Sequence, residues 1–269
     1  MRSFSLASRW NGLLSNNLRL TPIIRDAQVL TRIRTISKVF VVLALAQCDA
    51  PTRCMAETQS LFNGRDLEGW SGDEKVWSVQ GGQIRGSSVE NPVAENTFLV
   101  WQGGDVADFR LTYKARLEGD NNSGVQYRST LKDPKTWKVV GYQADMHTNP
   151  EYVAMLYSEG TGRAIVATRG QKVVVDAESG KPEVVGQTTA VTPVDISQWH
   201  EYVILARGNH LVHYLDGKVT VDIVDNHKEK LDKGILALQV HAGPPMTVFF
   251  KDIQLEIFPK QNGEAESGR

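Results

Sequence analysis

Three stretches of this chain carry amide, guanidinium, carboxylate or imidazole side chains at every second position. In chain order these side chains are Gln126, Arg128, Gln143, Asp145, His147, Gln239 and His241. The positions between them are mostly apolar, and successive side chains of a β-strand face opposite sides of its sheet. Each stretch therefore predicts a strand with one apolar face and one polar face. An ordinary solvated face is rich in Lys, Glu, Thr and Ser, so this composition instead indicates a binding surface for a hydroxylated ligand.

The elements that position these residues are predicted to be short strands. Over residues 61–258, apolar alternation is interrupted regularly by Gly, Asn, Asp and Pro, and no segment shows sustained helical periodicity. Residues 109–117 alternate cleanly, residues 153–157 predict a further strand, and Asp216-Gly217 is a dipeptide favoured in tight hairpins. Many strands at regular spacing predict an all-β fold, a two-sheet antiparallel sandwich of the jelly-roll kind.

The first 56 residues differ from the rest and are predicted to be a signal or leader segment, either cleaved or disordered. They contain eight Lys or Arg and two Asp or Glu, and the apolar run Val39–Ala46 follows the basic flank. This run is too short to span a bilayer as a helix. The pattern predicts export to the periplasm or the cell exterior, and Cys48 leaves a lipid anchor open; a cytoplasmic chain with a basic tail is the alternative. We expect residues 57–259 to form a single domain and residues 260–269 a disordered tail.

Charge and cysteine content narrow the classes of function. Residues 57–269 contain 22 Lys and Arg against 29 Asp and Glu, a formal charge of −7. A mildly acidic domain without a basic stripe is a poor nucleic-acid binder, because phosphate neutralisation supplies most of that affinity. Both cysteines, Cys48 and Cys54, precede the domain, so a disulfide, a thiolate nucleophile and a cysteine-based metal site are excluded there. No metal or cofactor is predicted, although Ca²⁺ is left open, and the sequence does not indicate the oligomeric state.

Nine motifs occur in a fixed order along residues 60–257. They are Leu61–Trp70, Trp77–Gly86, Phe98–Trp101, Asp108–Leu111, Asn122–Gly124, Gly141–Asp145, Trp199–Tyr202, Leu238–Gly243 and Val248–Ile253. Together they resemble the 3-keto-disaccharide hydrolase domain family, whose fold is of the concanavalin A-like lectin/glucanase type. The segment Asn122–Gly124 reads as a tight turn. Family members often carry an acid at the positions of Gly141 and Val240, so Asp145 is the clearest carboxylate left on the predicted polar face.

This resemblance implies a hydrolase that cleaves disaccharides or glycosides bearing a ketone at C3 of the sugar, and the leader predicts that it is exported. The ketone acidifies the C2–H bond, so a base can form an enolate that expels the C1 oxygen, and water addition completes hydrolysis. We expect Asp145 or His147 to be the base and His241 to protonate the leaving oxygen. Arg128 and Gln143 are expected to stabilise the oxyanion. The other residues expected to bind the carbohydrate are Gln126, Gln239, Trp137 and Tyr157.

Two other functions are compatible with the sequence. Direct glycoside hydrolysis needs two carboxylates, for which Glu159 would have to join Asp145. A lectin-like carbohydrate-binding module needs no matched acid and base, and the same fold supports both classes. The candidate residues also have structural alternatives. Asp145 could pair with Arg128, His147 could belong to a turn, and His241 could bond to the backbone at a strand end.

Overall fold

The computed structural model describes residues 57–259, and these residues form seventeen β-strands and no helix. In chain order the strands are β1 (Thr58–Ser60), β2 (Trp70–Ser71), β3 (Trp77–Gln80), β4 (Gln83–Ser87), β5 (Thr97–Trp101), β6 (Phe109–Glu118), β7 (Asn122–Asp133), β8 (Lys138–His147), β9 (Leu156–Glu159), β10 (Ala164–Ala167), β11 (Gln171–Val175), β12 (Pro182–Gln187), β13 (His200–Arg207), β14 (His210–Leu215), β15 (Lys218–Asp225), β16 (Ile235–Val240) and β17 (Thr247–Ile257). Residues 57–259 contain no helix that is long and apolar enough to cross a membrane. The predicted leader, 1–56, and tail, 260–269, lie outside the described residues and stay predictions.

The strands form two sheets that pack face to face. The large sheet has ten strands in the order β12-β11-β15-β14-β13-β6-β17-β4-β3, with β1 added to β17. The small sheet has seven strands in the order β10-β9-β8-β7-β16-β5-β2. Paired strands are antiparallel except β11 and β15, which run parallel. The predicted all-β jelly-roll sandwich is confirmed, and this parallel pair is its one departure from a purely antiparallel arrangement among the described strands.

The apolar faces of the two sheets form one core between them. In β6, buried residues alternate with more exposed ones, which places Phe109 and Leu111 in the interior. Tyr142 and Leu238, from β8 and β16 of the small sheet, belong to the same core. The polar side chains that alternate with these residues consequently lie on the outer face of the small sheet. That face carries the candidate site.

Strand β9 begins three residues later than the sequence predicts. Residues 153–155 precede it because Ala154 has a positive φ of 55°, which lies outside the β region. The Ala154 N–H donates to the Asp145 carbonyl at 2.7 Å. The Ala154 carbonyl accepts a hydrogen bond from Thr220 Oγ1 at 2.9 Å. Residues 147–155, called the site loop below, are therefore fastened to both sheets.

Strand β12 has no counterpart among the strands predicted from sequence. It lies at the edge of the large sheet and pairs only with β11, so most of its residues are exposed. Val184 and Val185 are each 56% exposed. Pro182 opens the strand, a position that suits an edge because proline cannot donate to the ladder. Without a buried face the strand has no apolar alternation, and periodicity could not reveal it.

Candidate active site

A cleft of about 260 Å³ opens on the outer face of the small sheet. Five residues predicted from the sequence line it: Gln143, Asp145, His147, Tyr157 and His241. In the register of β7 and β8, Gly124 lies opposite Asp145 and Asn122 lies opposite His147. His241 directly follows β16, the strand that pairs with β7 on its other side. The three side chains expected to be catalytic therefore meet in one cleft.

Asp145 is the acid with the largest pKa shift in the cleft. The residue is only 5% exposed, and burial raises the pKa of its carboxyl group to about 8. A hydrogen bond from the side-chain amide of Gln143 opposes this rise, whereas the nearby Glu159 adds to it. At neutral pH the Asp145 carboxyl is therefore mostly protonated and able to donate. It becomes a carboxylate only above neutrality.

A row of buried polar side chains supports Asp145 from beneath the cleft. Ser129 Oγ donates to Gln126 Oε1, and Gln126 Nε2 donates to Gln143 Oε1, each at 2.8 Å. Gln143 Nε2 donates in turn to Asp145 Oδ1 and, at 3.3 Å, to Gln239 Oε1. Gln126 and Gln239 are fully buried. These two glutamines, expected to bind substrate, thus lie under the cleft and orient the side chains above them, and Gln143 alone of the three reaches its wall.

The two imidazoles of the cleft are held in opposite tautomers. His147 Nδ1 accepts a hydrogen bond from the Asn149 N–H at 2.9 Å, so its proton lies on Nε2. His241 Nδ1 lies 2.5 Å from the carbonyl oxygen of Ala242, which can only accept, so its proton lies on Nδ1. Burial and the proximity of His241 lower the pKa of His147, which favours its neutral form. In the neutral forms, Nε2 of His147 is a donor and Nε2 of His241 is a base.

Arg128, also expected to bind substrate, does not share the face of Gln126. It sits at a β-bulge of β7 with a positive φ of 48°, which breaks the alternation of the strand, and that expectation is wrong for this reason. Its guanidinium pairs with the Asp108 carboxylate at 3.1 Å rather than with Asp145. It also donates to three backbone carbonyls, those of Ala107, Gly208 and Leu231. Arg128 is therefore fully engaged away from the cleft.

Trp137 does not stand among the residues of the cleft either. It lies between β7 and β8 with a positive φ of 56°. Its ring packs against a small apolar cluster on the small sheet, formed by Phe98, Val100, Val139 and Ala237. The expected stacking of Trp137 on a sugar ring is corrected accordingly, because the ring covers this cluster instead.

The cleft also contains residues that the sequence does not predict there. These are Asn96, Asn122, Tyr152, Met155 and Ile165. Glu159 also lines the cleft, and the sequence predicts a role for it only if hydrolysis uses two carboxylates. Asn122 is predicted from the sequence to be a turn residue, but it is the first residue of β7. It lies four positions before Gln126, so the alternation along the strand could have predicted that both face the same side. Tyr152 belongs to the site loop, where no periodicity operates. Its ring packs edge-on against His147 with centroids 5.2 Å apart, and it thereby helps to hold the imidazole.

The described residues give no ligand set for a metal. Among residues 57–259, no group of three or more His, Cys, Asp or Glu side chains is arranged to hold an ion. Asp145, His147 and His241 line one cleft without forming such a group. The expected independence from metal and cofactor, and the open case of Ca²⁺, stay predictions that an assay with a chelator would test.

The fold and the site define a two-sheet jelly-roll sandwich with a polar cleft on one outer face, and the family that matches the chain places it among carbohydrate-active domains of this fold. Within that class, the sequence profile of the 3-keto-alpha-glucoside-1,2-lyase-like domain matches residues 57–256, and the chain belongs to this family. The resemblance found in the motifs is confirmed. A comparison with curated proteins finds no match.

Solved structures share the fold at low sequence identity. A candidate glycosyl hydrolase from Parabacteroides distasonis ATCC 8503 has a TM-score of 0.52 and 19% identity, over 75% of this chain and 94% of its own. A Bacillus subtilis protein of unknown function with a galectin-like fold has a TM-score of 0.50 and 10% identity, over 75% of this chain and 94% of its own. At such identities the similarity establishes the sandwich, and the chemistry has to be argued from the residues of this chain.

Proposed function

We propose that the protein cleaves glycosides whose sugar carries a ketone at C3, by removing the C2 proton, eliminating the C1 oxygen and adding water. One observation carries this proposal: the buried Asp145 carboxyl, with a pKa of about 8, shares a cleft with two imidazoles fixed in opposite tautomers. Such a site offers one imidazole nitrogen as a base, on His241, and two proton donors, on His147 and Asp145. Membership of the family supports the 3-keto sugar as the substrate class.

Each side chain then has a distinct role in the elimination. His241 Nε2 has a free lone pair and removes the proton from C2. The Nε2–H of His147 donates to the C3 oxygen as it becomes an enolate. The protonated Asp145 gives its proton to the leaving oxygen while the bond between that oxygen and C1 breaks. The sequence predicts Asp145 as a base and His241 as the acid, and these two roles are now reversed. The reason is that the sequence shows neither the tautomer of His241 nor the raised pKa of Asp145.

Water addition restores the starting state of the site. Elimination leaves a double bond between C1 and C2, conjugated with the ketone. The Asp145 carboxylate takes a proton from water as the water oxygen bonds to C1, and protonated His241 returns a proton to C2. The two steps sum to hydrolysis, and both side chains end in their original protonation states.

The direct test uses the full chain with a 3-keto-glucoside that carries a chromogenic aglycone. We expect aglycone release from the keto sugar and none from the matching glucoside with a C3 hydroxyl. In D₂O the sugar product should carry deuterium at C2, after correction for spontaneous exchange in a reaction without enzyme. A product that keeps its original C2 hydrogen, together with no primary kinetic isotope effect for the substrate deuterated at C2, would contradict the elimination.

Direct hydrolysis by two carboxylates is the second candidate, because Glu159 lines the cleft together with Asp145. Glu159 lies opposite Gly141, which is four positions from Asp145 along β8, or roughly 13 Å of extended backbone. Carboxyl pairs of glycosidases lie roughly 5–9.5 Å apart, so this candidate requires the Asp145 and Glu159 side chains to reach towards each other across the cleft. Direct hydrolysis would cleave the glucoside with a C3 hydroxyl and would leave the C2 hydrogen in place.

A carbohydrate-binding module would give a third pattern in the same assay. It would bind the 3-keto-glucoside and release no aglycone at any pH. Binding can be followed by titration calorimetry with the intact substrate. Saturable binding without cleavage would identify this alternative and would remove the catalytic roles proposed for Asp145, His147 and His241.

Export is a separate proposal, supported by the basic flank and apolar run of residues 1–56. Cell fractionation of the full chain, followed by mass spectrometry of its N-terminus, would test it. We expect a shortened chain outside the cytoplasm. An intact N-terminus in the cytoplasmic fraction would contradict export, and a lipid on Cys48 would identify an anchor.

A further inference from the structure

A second cavity, of about 450 Å³, lies beside strand β12 and shares no residue with the candidate active site. The site loop separates the two. Tyr152 of this loop lines the active cleft, whereas its neighbour Glu151 lines the second cavity. The volume falls in the range of cavities that hold small molecules, roughly 300–1,000 Å³.

Arg169 is the cation of the second cavity. It is only 7% exposed, and its Nη1 donates to the carbonyl of Thr192 at 2.9 Å and to that of Pro150 at 3.4 Å. Its Nε and Nη2 make no hydrogen bond to the described residues. Neither atom is among the polar side-chain atoms of these residues that are buried without a hydrogen-bond partner, so both are accessible to solvent. These two N–H groups form the side of the guanidinium that binds a carboxylate with two parallel hydrogen bonds.

The contrast with Arg128 shows what Arg169 lacks. Among residues 57–259, Arg128 is the other arginine buried to this degree, and Asp108 supplies its counter-charge at 3.1 Å. No carboxylate of residues 57–259 lies within ion-pairing distance of Arg169. Burying a cation without a partner is costly. A bound anion would supply the missing charge.

The rest of the wall suits a ligand with hydroxyl groups. Gln171 Oε1 accepts from the Thr168 N–H at 2.9 Å, which leaves its Nε2 as a donor. The side chains of Gln187 and Thr189 make no hydrogen bond to the described residues and line the same cavity. Val184, 56% exposed, adds an apolar patch that a sugar ring could cover.

We propose that the second cavity binds a sugar acid, with its carboxylate on the Nε and Nη2 groups of Arg169 and its hydroxyl groups on Gln171, Gln187 and Thr189. Glu151 is the carboxylate that lines this cavity. It is exposed and forms no ion pair with Arg169, so its oxygens can accept hydrogen bonds from ligand hydroxyls. This inference stands apart from the proposed function, because none of these residues belongs to the active cleft.

The site loop connects this cavity to the active cleft. The backbone N–H of Arg169 donates to the Glu151 carbonyl at 2.9 Å, and its guanidinium holds the Pro150 carbonyl. Tyr152, the next residue, packs against His147. A ligand on Arg169 therefore contacts the side chain that fastens this loop.

The test is a titration of the full chain, labelled with ¹⁵N, with D-glucuronate, D-glucose and acetate as probes. We expect glucuronate to shift the amide signals of Gly170, Gln171 and Thr189 in a saturable way. Glucose lacks the carboxylate and acetate lacks the hydroxyls, so both should bind at least about tenfold more weakly, a difference of about 1.4 kcal/mol.

Variants locate the site. Arg169→Lys keeps the charge but loses the paired N–H groups, and Thr189→Val removes one hydroxyl without disturbing the loop anchor. We expect the first to weaken glucuronate about tenfold and the second to weaken it less. Asp145→Asn, in the other cavity, should leave this binding unchanged. Equal affinity of wild type and both cavity variants, acetate binding as well as glucuronate, or loss of binding in Asp145→Asn would each overturn the proposal.

Discussion

The pKa of Asp145 reflects three features of its surroundings. Burial raises it most, the amide of Gln143 lowers it, and the charge of Glu159 raises it. In the proposed reaction the protonated Asp145 is the acid for the leaving group, so activity should decline as the pH rises past its pKa of about 8. The alkaline limb of the pH–rate profile thus reports on this side chain.

Replacing Glu159 with Gln removes one of the two causes that raise this pKa. We expect the alkaline limb of kcat/KM in Glu159→Gln to move to lower pH, because the Asp145 carboxyl then ionises more easily. The measurement is kcat/KM against pH with the 3-keto-glucoside. Glu229→Gln, at an exposed position, is the matched control and should keep the wild-type profile. A shift to higher pH would contradict the assignment.

Replacing Asp145 with Asn keeps the acceptor for Gln143 but removes the transferable proton. We expect kcat to fall by about 10²–10⁴, the usual contribution of a general acid or base, while the affinity for the intact keto sugar changes little. Single-turnover kinetics and calorimetry separate the two effects. Asp105→Asn, exposed and distant in sequence, is the control. Wild-type turnover in Asp145→Asn would remove this residue from the mechanism.

The sequence reveals some of these residues and not others for clear reasons. Alternation places Asp145, His147 and His241 on one face, and pairing of β8, β7 and β16 brings them together. It fails at Arg128, because a bulge changes the face on which a side chain lies. Alternation also cannot predict the tautomer of a histidine. The tautomer of His241 is set by the backbone carbonyl of Ala242, whose orientation only the folded chain determines.

At the scale of elements, the bulge of β7 depends on two glycines. Gly141 lies in the neighbouring strand β8, and Gly234 directly precedes the other neighbour, β16. A Cβ at Gly141 would lie 2.6 Å from Ser129 Cα, and one at Gly234 would lie 2.6 Å from Ser129 N. The side-chain hydroxyl of Ser129 begins the row that leads through Gln126 towards Asp145. Glycine at position 141 is therefore a packing requirement in this chain.

We expect Gly141→Ala to lower the free energy of unfolding by about 1–3 kcal/mol, the usual cost of forcing an extra group into a packed region. Its φ of 155° adds strain for any side chain. Urea denaturation measures the change. Gly186→Ala, on the exposed strand β12, meets nothing closer than 3.6 Å and should have little effect. Equal stability of the two variants would contradict the packing argument.

The elements that the sequence predicts least well are those without a buried face. Strands such as β6 and β8 are evident because their alternation reflects the core. Strand β12 is defined instead by pairing at an edge, and the site loop by hydrogen bonds of the Ala154 backbone to Asp145 and Thr220. The second cavity lies between these two poorly predicted segments, so no sequence pattern indicates it.

At the scale of the whole molecule, two buried groups act on stability in opposite directions. Burial raises the pKa of Asp145 from 3.8 to about 8, and burial lowers the pKa of His213 from 6.5 to about 4. In the unfolded chain Asp145 ionises first, so its contribution to stability declines as the pH rises towards about 8. Unfolded His213 takes up a proton first, so its contribution declines as the pH falls towards about 4.

These opposing effects give the pH dependence of unfolding a specific shape. Between about pH 4 and 6.5 the two slopes oppose each other, and above 6.5 only Asp145 of the pair still titrates. We therefore expect the free energy of unfolding to change little below about pH 6.5 and then to fall towards pH 8, at up to about 1.4 kcal/mol per pH unit. In Asp145→Asn it should instead rise up to about pH 6.5 and then stay level. Urea denaturation across this range measures both curves, and an undiminished fall above pH 6.5 in the variant would assign that fall to a different group.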